Sequence, residues 1–445
     1  MNVLFILIDA LRFDHLGISG YSRDASPNID KLAKESIFFS NAITAIPSTT
    51  PSVASMMTGL YAHSHGLRFI HRQKLSREVT TLAEILQSHG YKTIGYDLDS
   101  TGSGIEKGFD EFSLLRWRAI NKIERAIKKL FYRDYELKRA EELTSFAKKQ
   151  LKKHKNTKFF FYLHYADLHW PYTPPKPFDE MFDPNYKGKH LFNDWDNKIS
   201  RGDMIFNNPL PKEEIYHAIS HYDGLIRFID SQVKELIGCL EKLKLKDKTL
   251  IVITADHGES LGEHNLHFQH SLCLYEEGIR IPLIIYNPNF NNPKKIENQV
   301  GSIDIMPTVL DLLGIPLIEN IDGKSLFPII NGDKDDRKYL FAENGELIYK
   351  QNNRTFYPGI KGKWRMVRAD DWKLIYIPHP EKDIYELYNL KKDPGETKNL
   401  AKEEPDKARE LREELFKWMN DSGEGKDTDL TEKSKEILRK IGYME

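Results

Sequence analysis

Asp9 closes the apolar run Val3-Leu4-Phe5-Ile6-Leu7-Ile8. A carboxylate delivered by a buried strand is costly unless a partner or a cation compensates it, although an acid at this point could also cap the next helix. Asp256-His257 follows Leu250-Ile251-Val252-Ile253-Thr254 in the same way and opens a loop at Gly258. A carboxylate beside an imidazole suits Mn²⁺ or Zn²⁺ better than Ca²⁺, which prefers oxygen. Downstream, His264, His267, Gln269 and His270 crowd together. Thr49 stands in Ser48-Thr49-Thr50-Pro51, ahead of a helical pattern that ends at Thr58-Gly59. A hydroxyl there meets N–H groups and a positive dipole end that attract anions, but Ser and Thr are also ordinary helix caps. His164-Tyr165-Ala166-Asp167-Leu168-His169 leads into the Pro-rich loop Trp170–Pro175, where His169 could hydrogen-bond an anionic substrate or serve a structural turn.

The segments that must position these residues alternate in type. Val3–Ile8, Lys92–Tyr96, Phe159–His164, Thr249–Thr254 and Ile281–Tyr286 read as buried strands. Pro27–Glu35 (behind Ser26 as a cap), Val79–His89 and Glu213–Leu243 have helical spacing. Such alternation predicts an α/β fold with a largely parallel sheet covered by helices on both faces. Ligands of such sheets bind beyond the carboxyl ends of strands, where Asp9, His164 and Asp256 stand. Arg118–His154 reads as a solvated helical excursion dense in Lys, Arg and Glu. After about Gly332, short runs at Tyr339–Ala342, Trp364–Arg368, Trp372–Tyr376 and Tyr385–Asn389 predict a small antiparallel sheet with a helix at Pro405–Met419 packed on it. Gly423–Thr428 is a polar break before a last short helix. The expected division is a catalytic α/β domain over residues 1–335 and a small α+β subdomain over 336–445.

Composition narrows the classes. The 445 residues are 40% hydrophobic, enough for a large core, and 65 Lys plus Arg against 66 Asp plus Glu give a net charge of −1. That balance argues against a nucleic-acid partner held by bulk charge. Two cysteines, Cys239 and Cys273, make no disulfide framework and read as small buried residues. The apolar N-terminus is short and lacks a basic leader, and no later run approaches the about 18 uncharged apolar residues of a membrane helix. The expectation is a cytoplasmic protein with no membrane partner. Oligomeric state has no sequence signal.

Taken in chain order, several segments resemble the sulfatase family of the alkaline phosphatase superfamily over nearly the whole chain. They are Asp9-Ala10-Leu11-Arg12, Ser26–Ala33, Thr49–Gly59, Asp256–Glu259 with Leu274–Pro282, Asp304–Thr308, Asp322–Leu326, and Glu386–Leu390 with Asp393–Glu396. The resemblance implies an alkaline phosphatase-like fold and a small anionic ester as substrate. It implies one divalent metal ion, manganese before zinc, calcium or magnesium, held by Asp9, Asp256, His257 and the Thr49 hydroxyl. It gives Thr49 the nucleophile's position, and His169 and His270 the task of binding the anion or protonating the leaving oxygen.

Departures from the family pattern shift the expected chemistry. Thr49 cannot be oxidised to formylglycine as the family's Cys or Ser is. Ala10 stands where the family has a second acid or an amide, Val53 where it has Arg, Gln269 where it has Lys, and Gly95-Tyr96-Asp97-Leu98-Asp99 where it has Lys and His. Fewer cations around the anion fit a singly charged substrate, which favours phosphodiesters or sulfate monoesters over phosphate monoesters, and with Thr49 as nucleophile phosphodiester or phosphonate ester hydrolysis is expected. The alternatives are sulfate ester hydrolysis without formylglycine, phosphoglycerol-type transfer, and a non-catalytic binding protein. A second metal would need an Asp-x-x-x-His pair, and Asp167-x-His169 has the wrong spacing.

Overall fold

The computed structural model of the chain describes residues 1–68, 73–97, 103–114, 139–188, 210–270, 274–344, 363–379 and 382–421. Its centre is a nine-stranded sheet built from β1 (Asn2–Ile8), β2 (Ile37–Ile43), β3 (Lys92–Asp97), β4 (Glu111–Leu114), β5 (Phe159–Tyr165), β6 (Thr249–Thr254), β9 (Arg280–Tyr286), β10 (Lys294–Ile296) and β11 (Val300–Gly301). A separate ribbon pairs β7 (Ser260–Leu261) with β8 (His267–Gln269). The path across the large sheet is β10-β2-β9-β6-β1-β5-β3-β4, with β11 also on β2. Every pair is parallel except those that β9 makes with β2 and β6. The sheet is therefore mixed and mostly parallel.

Burial explains these strands. All seven residues of β1 and of β5, and all six of β6, are buried, as expected of strands covered on both faces. The long helix Lys212–Lys242 packs on Arg139–Lys153 and on α1 (Pro27–Lys34). At α1 the Ser26 side chain does not cap: its hydroxyl bonds Gly17 N and Asp30 instead. Asp230 of the long helix accepts from Asn28 N (2.9 Å) and Ile29 N (2.7 Å), so a neighbouring helix satisfies the first turn. The helix expected from Val79 begins at Leu82, because Thr81 and Glu84 form a reciprocal capping box that fixes the start. β2 escaped the sequence reading: Ser40-Asn41 interrupts its apolar run at a register shift against β9.

The second sheet has the order β12 (Leu340–Glu343), β13 (Arg365–Ala369), β14 (Trp372–Ile377), β15 (Ile384–Asn389), all antiparallel. One of its faces buries Met366, Ile375 and Tyr388 with Ile43, Leu266, Leu274 and Ile279 of the large lobe. The other carries Val367, Leu374 and Leu387 under Leu411 and Leu415 of the helix Pro405–Asp421. Cys239 is a free, buried thiol on the long helix. Cys273, residues 118–138, the polar break at 423–428 and the last short helix lie outside the described residues. Among the described residues, no helix is long and apolar enough to cross a membrane.

Candidate active site

Four adjacent strands, β6-β1-β5-β3, end on one edge of the sheet and deliver Asp256, Asp9, His164 and Asp97 side by side. Register does this: Leu7 of β1 pairs with Thr254 of β6 and with His164 of β5, so Asp9 and Asp256 each emerge two residues beyond the same rung. The chain then turns sharply at Ala10, whose φ of 54° is unusual for a residue with a Cβ. Tyr222 of the long helix holds this turn, donating to Ala10 O (2.7 Å) and accepting from Arg12 N (2.9 Å). Beyond Asp256-His257 the loop needs Gly258, where a Cβ would lie 2.0 Å from the Glu277 carbonyl oxygen.

Asp9, Asp256 and His257 are wholly buried. Asp256 Oδ1 accepts from Ala10 N (3.0 Å) and His257 N (2.9 Å). His257 Nδ1 must donate to the Gly258 carbonyl (2.7 Å), which leaves the Nε2 lone pair facing the site. Nε2 lies 3.3 Å from Asp256 Oδ2, 3.9 Å from Asp9 Oδ1 and 3.3 Å from Thr49 Oγ1. His164 Nδ1 donates to Asp97 Oδ1 (2.5 Å), and its Nε2 lies 3.6 Å from Asp9 Oδ2. Both oxygens of Asp9, Asp256 Oδ2 and His164 Nε2 are buried with no hydrogen-bond partner. Buried polar atoms are rarely left so. One ligand atom each from Asp9, His164 and Asp256 falls within 4.8 Å of the others, and this donor chemistry fits a divalent cation.

The charges say the same. Burial alone would raise Asp9, but His164, His169 and His257 outweigh it and hold the carboxyl below its usual range. Asp256 is raised by burial and by Asp9. Burial would lower His164, yet Asp97 and Asp9 push it up to about 10. Burial would likewise lower His257, but Asp256 and Asp9 raise it, so among the described residues the two acids are answered by imidazoles and by no lysine or arginine within 4 Å.

Thr49 is the first residue of α2 (Thr49–Thr58). The cap position belongs to Ser48, which makes no side-chain bond to the helix, so Thr49 is not the cap. Of the three hydroxyls here, Ser48 and Thr50 are buried and Thr49 is partly exposed toward the site. Ser52, one turn on, donates to the Asp256 carbonyl (2.7 Å) and ties the helix to the loop of Asp256 and His257.

At the mouth, the His270 ring stacks on His257 (4.2 Å between centroids) and meets His169 edge-on at 5.1 Å. His169 Nδ1 donates to the Trp170 carbonyl (2.8 Å), and burial lowers its pKa, which favours the neutral ring with Nε2 as an acceptor. Glu259 lies 3.4 Å from His270 Nδ1, and burial pushes it up to about 7.

The structure thus gathers Asp9, Thr49, Asp256, His257, His169 and His270. His264 instead stacks on Tyr275 (3.7 Å), and His267 lies on the β7–β8 ribbon. Asp167 accepts from Ala140 N (3.1 Å), a backbone contact. Sequence reasoning missed three neighbours. In the sequence His164 reads as the end of a strand, Asp97 as part of a segment without the family's Lys and His, and Glu259 as part of a motif. The signal available was their position at the carboxyl ends of strands or directly after Asp256-His257-Gly258.

A family model described as Sulfatase matches residues 1–315, and one described as N-sulphoglucosamine sulphohydrolase, C-terminal, matches residues 262–424. Arylsulfatase K of Bos taurus is 24% identical over 453 residues, covering 94% of this chain and 82% of its own. An arylsulfatase of Clostridium perfringens is 26% identical over 479 residues, covering 95% of both chains. Among solved structures, the phosphonate monoester hydrolase of Agrobacterium radiobacter superposes with a TM-score of 0.75 at 20% identity, over 95% of this chain and 96% of its own.

Proposed function

The chain belongs to the sulfatase family, and from that premise we propose that it hydrolyses phosphodiesters or phosphonate esters by direct attack of Thr49 at a single metal centre. Hydrolysis of a sulfate or phosphate ester comes with membership. The observation that carries the finer reading is the Thr49 hydroxyl at the start of α2, 3.3 Å from His257 Nε2, with the unpartnered oxygens of Asp9 and Asp256 alongside.

A divalent cation bound by Asp9, Asp256, His257 and Thr49 Oγ1 would supply Lewis-acid polarisation of the ester and favour the deprotonated hydroxyl, with Mn²⁺ or Zn²⁺ best suited to the mixed donors. The chain's residues do the rest. Thr49 attacks phosphorus in line, and the start of α2 faces the equatorial oxygens with its dipole. His270, in contact with Glu259, stands where it can protonate the leaving oxygen. His169, neutral with Nε2 open, accepts a hydrogen bond from the water that resolves the threonine ester.

Charge supports the substrate class. Val53 lies in the core, Asp97 is engaged by His164, and Gln269 is uncharged, so three positions that carry cations in the family carry none here. Such a site favours a monoanion, whether phosphodiester, phosphonate monoester or sulfate monoester, over a phosphate dianion, and Thr49, which cannot become formylglycine, turns the choice toward phosphorus. The Agrobacterium neighbour, named for phosphonate ester hydrolysis, has the same fold. The test is a panel of nitrophenyl sulfate, phosphate, phosphodiester and phosphonate esters with Mn²⁺, Zn²⁺, Mg²⁺ and Ca²⁺. The expected result is the highest kcat/KM for the phosphodiester or phosphonate with Mn²⁺ or Zn²⁺. A sulfate value above every phosphorus ester would reverse the assignment.

A further inference from the structure

We propose that His164, oriented by Asp97, is itself a ligand of the divalent ion, so that the centre holds two imidazoles. This rests on the metal centre proposed above. Ala10, next to Asp9, offers no side-chain donor, and only its N–H takes part, on Asp256. His164 comes from the neighbouring strand two residues short of Asp9, because Leu7 is its rung partner. Its Nδ1 is committed to Asp97, so Nε2 is the atom that points at Asp9 and would exchange its proton for the cation.

Two facts separate a ligand from a plain structural histidine. The 3.6 Å gap to Asp9 is too long for a hydrogen bond, and Nε2 is buried without any other partner. The gap is instead that of two donors sharing one small ion, which lie about 3–4 Å apart when each bond is about 2.1 Å. The spacings of His257 Nε2 to Asp256 (3.3 Å) and to Asp9 (3.9 Å) fall in the same range. Asp97 is a positioning residue: a carboxylate on the far nitrogen of a ligating histidine fixes its tautomer and raises its basicity. A shell of two imidazoles and two carboxylates selects Mn²⁺ or Zn²⁺ against Ca²⁺.

The test is X-ray absorption on the Zn²⁺-loaded wild-type protein, which counts imidazoles without any substitution, together with metal affinities by chelator competition. Two imidazoles are expected. His164→Gln should weaken Zn²⁺ and Mn²⁺ at least about tenfold, and Asp97→Asn about 10- to 100-fold. One imidazole in the wild type, or an affinity in His164→Gln within twofold of wild type, overturns the inference and leaves the metal centre standing, provided Asp256→Ala loses the ion. A wild type that binds no Zn²⁺ or Mn²⁺ overturns both. If His164→Gln fails to fold, the wild-type imidazole count still decides.

Discussion

Two regions of the molecule bury carboxylates, and they treat them in opposite ways. Where the small sheet meets the large lobe, Glu276 lies 3.2 Å from both Lys373 Nζ and Arg368 Nη1, and the same Lys373 Nζ lies 2.6 Å from Glu396. Burial would raise Glu276, but Arg368 and Lys373 outweigh it and hold it at about 2. At the edge of the large sheet, Asp9 and Asp256 have only imidazoles 3.3–3.9 Å away, and three of their four oxygens accept nothing. Even the donor geometry recurs: His264, Glu277 and Glu396 at the junction also bring three ligand atoms within 4.8 Å. There, however, Lys373 already supplies the positive charge. The difference teaches that buried acids alone do not mark a metal centre. What separates the two regions is the cation: at the junction Glu276 Oε2 and Glu396 Oε1 also lack a hydrogen-bond donor but lie 3.2 Å from Arg368 and 2.6 Å from Lys373, whereas the oxygens of Asp9 and Asp256 meet no lysine or arginine among the described residues.

The sharpest break in this contrast is at the site. Asp256→Ala and His257→Ala are each expected to lose both the ion and all activity. Thr49→Ala should instead keep the ion through Asp9, Asp256 and His257, keep its melting temperature, and lose kcat by orders of magnitude, while Thr49→Ser retains part of it. Elemental analysis, kcat and melting curves read these out together. Full metal occupancy in both metal-loop variants would sink the centre. A Thr49→Ala kcat above a tenth of wild type, a barrier change under about 1.4 kcal/mol, would sink the nucleophile.

At the junction the effect should fall on stability alone. Lys373→Met leaves Glu276 and Glu396 buried without their shared cation, a change that typically costs about 3–5 kcal/mol. Metal content and kcat/KM of the folded fraction should stay at wild-type levels. Denaturant unfolding measures the first and elemental analysis the second. A loss under about 1 kcal/mol would mean that the network is no staple, and a loss of metal would erase the distinction between the two regions.

How far these regions were legible follows from the kind of signal each carries. The central strands could be read because burial on both faces makes β1, β5 and β6 continuous apolar runs. Asp9, Thr49, Asp256 and His257 could be read because each follows a strand or opens a helix. His164 and Asp97 gained their meaning only from sheet order, which puts β5 between β1 and β3 although β3 comes far earlier in the chain than β5. The Glu276–Lys373–Glu396 staple was invisible for the same reason: Glu276 stands 97 residues before Lys373 and 120 before Glu396, and it meets them only once the small sheet has docked.

Glu277 is the junction's exception and gives a pH test. Burial first, then Glu396 and Glu263, raise it from an ordinary 4.5 to about 8. The unfolded chain ionises this group near 4.5, whereas the folded one keeps it protonated until about 8. Its contribution is complete below the lower value and is lost as pH rises through the upper one. Stability should therefore fall between about pH 5 and 8, and Glu277→Gln should flatten that slope. Chemical denaturation at several pH values measures it. An unchanged slope in Glu277→Gln would show that the carboxyl is ionised inside the fold.

The smallest effect concerns two helix starts, where the same contrast appears without any charge. At Leu82–Ser88, Thr81 Oγ1 accepts from Glu84 N (3.2 Å) and Glu84 answers on Thr81 N (2.9 Å), so the first turn is closed by its own side chains. At α2 the Ser48 side chain makes no such bond. A functional helix start gains by this, since a capped first turn has fewer N–H groups to offer an anion. Thr81→Ala should accordingly cost about 1 kcal/mol, the usual loss for a helix cap. Ser48→Ala should cost under about 0.5 kcal/mol, as a substitution that removes no cap. It should also leave kcat near wild type, because Ser48 precedes the proposed nucleophile and is buried where Thr49 is partly exposed. Melting curves and kcat for the two variants side by side decide the matter. Equal losses of stability would mean that Ser48 caps α2 in solution and that its first turn is not held open. A loss of kcat in Ser48→Ala comparable with that of Thr49→Ala would move the nucleophile by one residue.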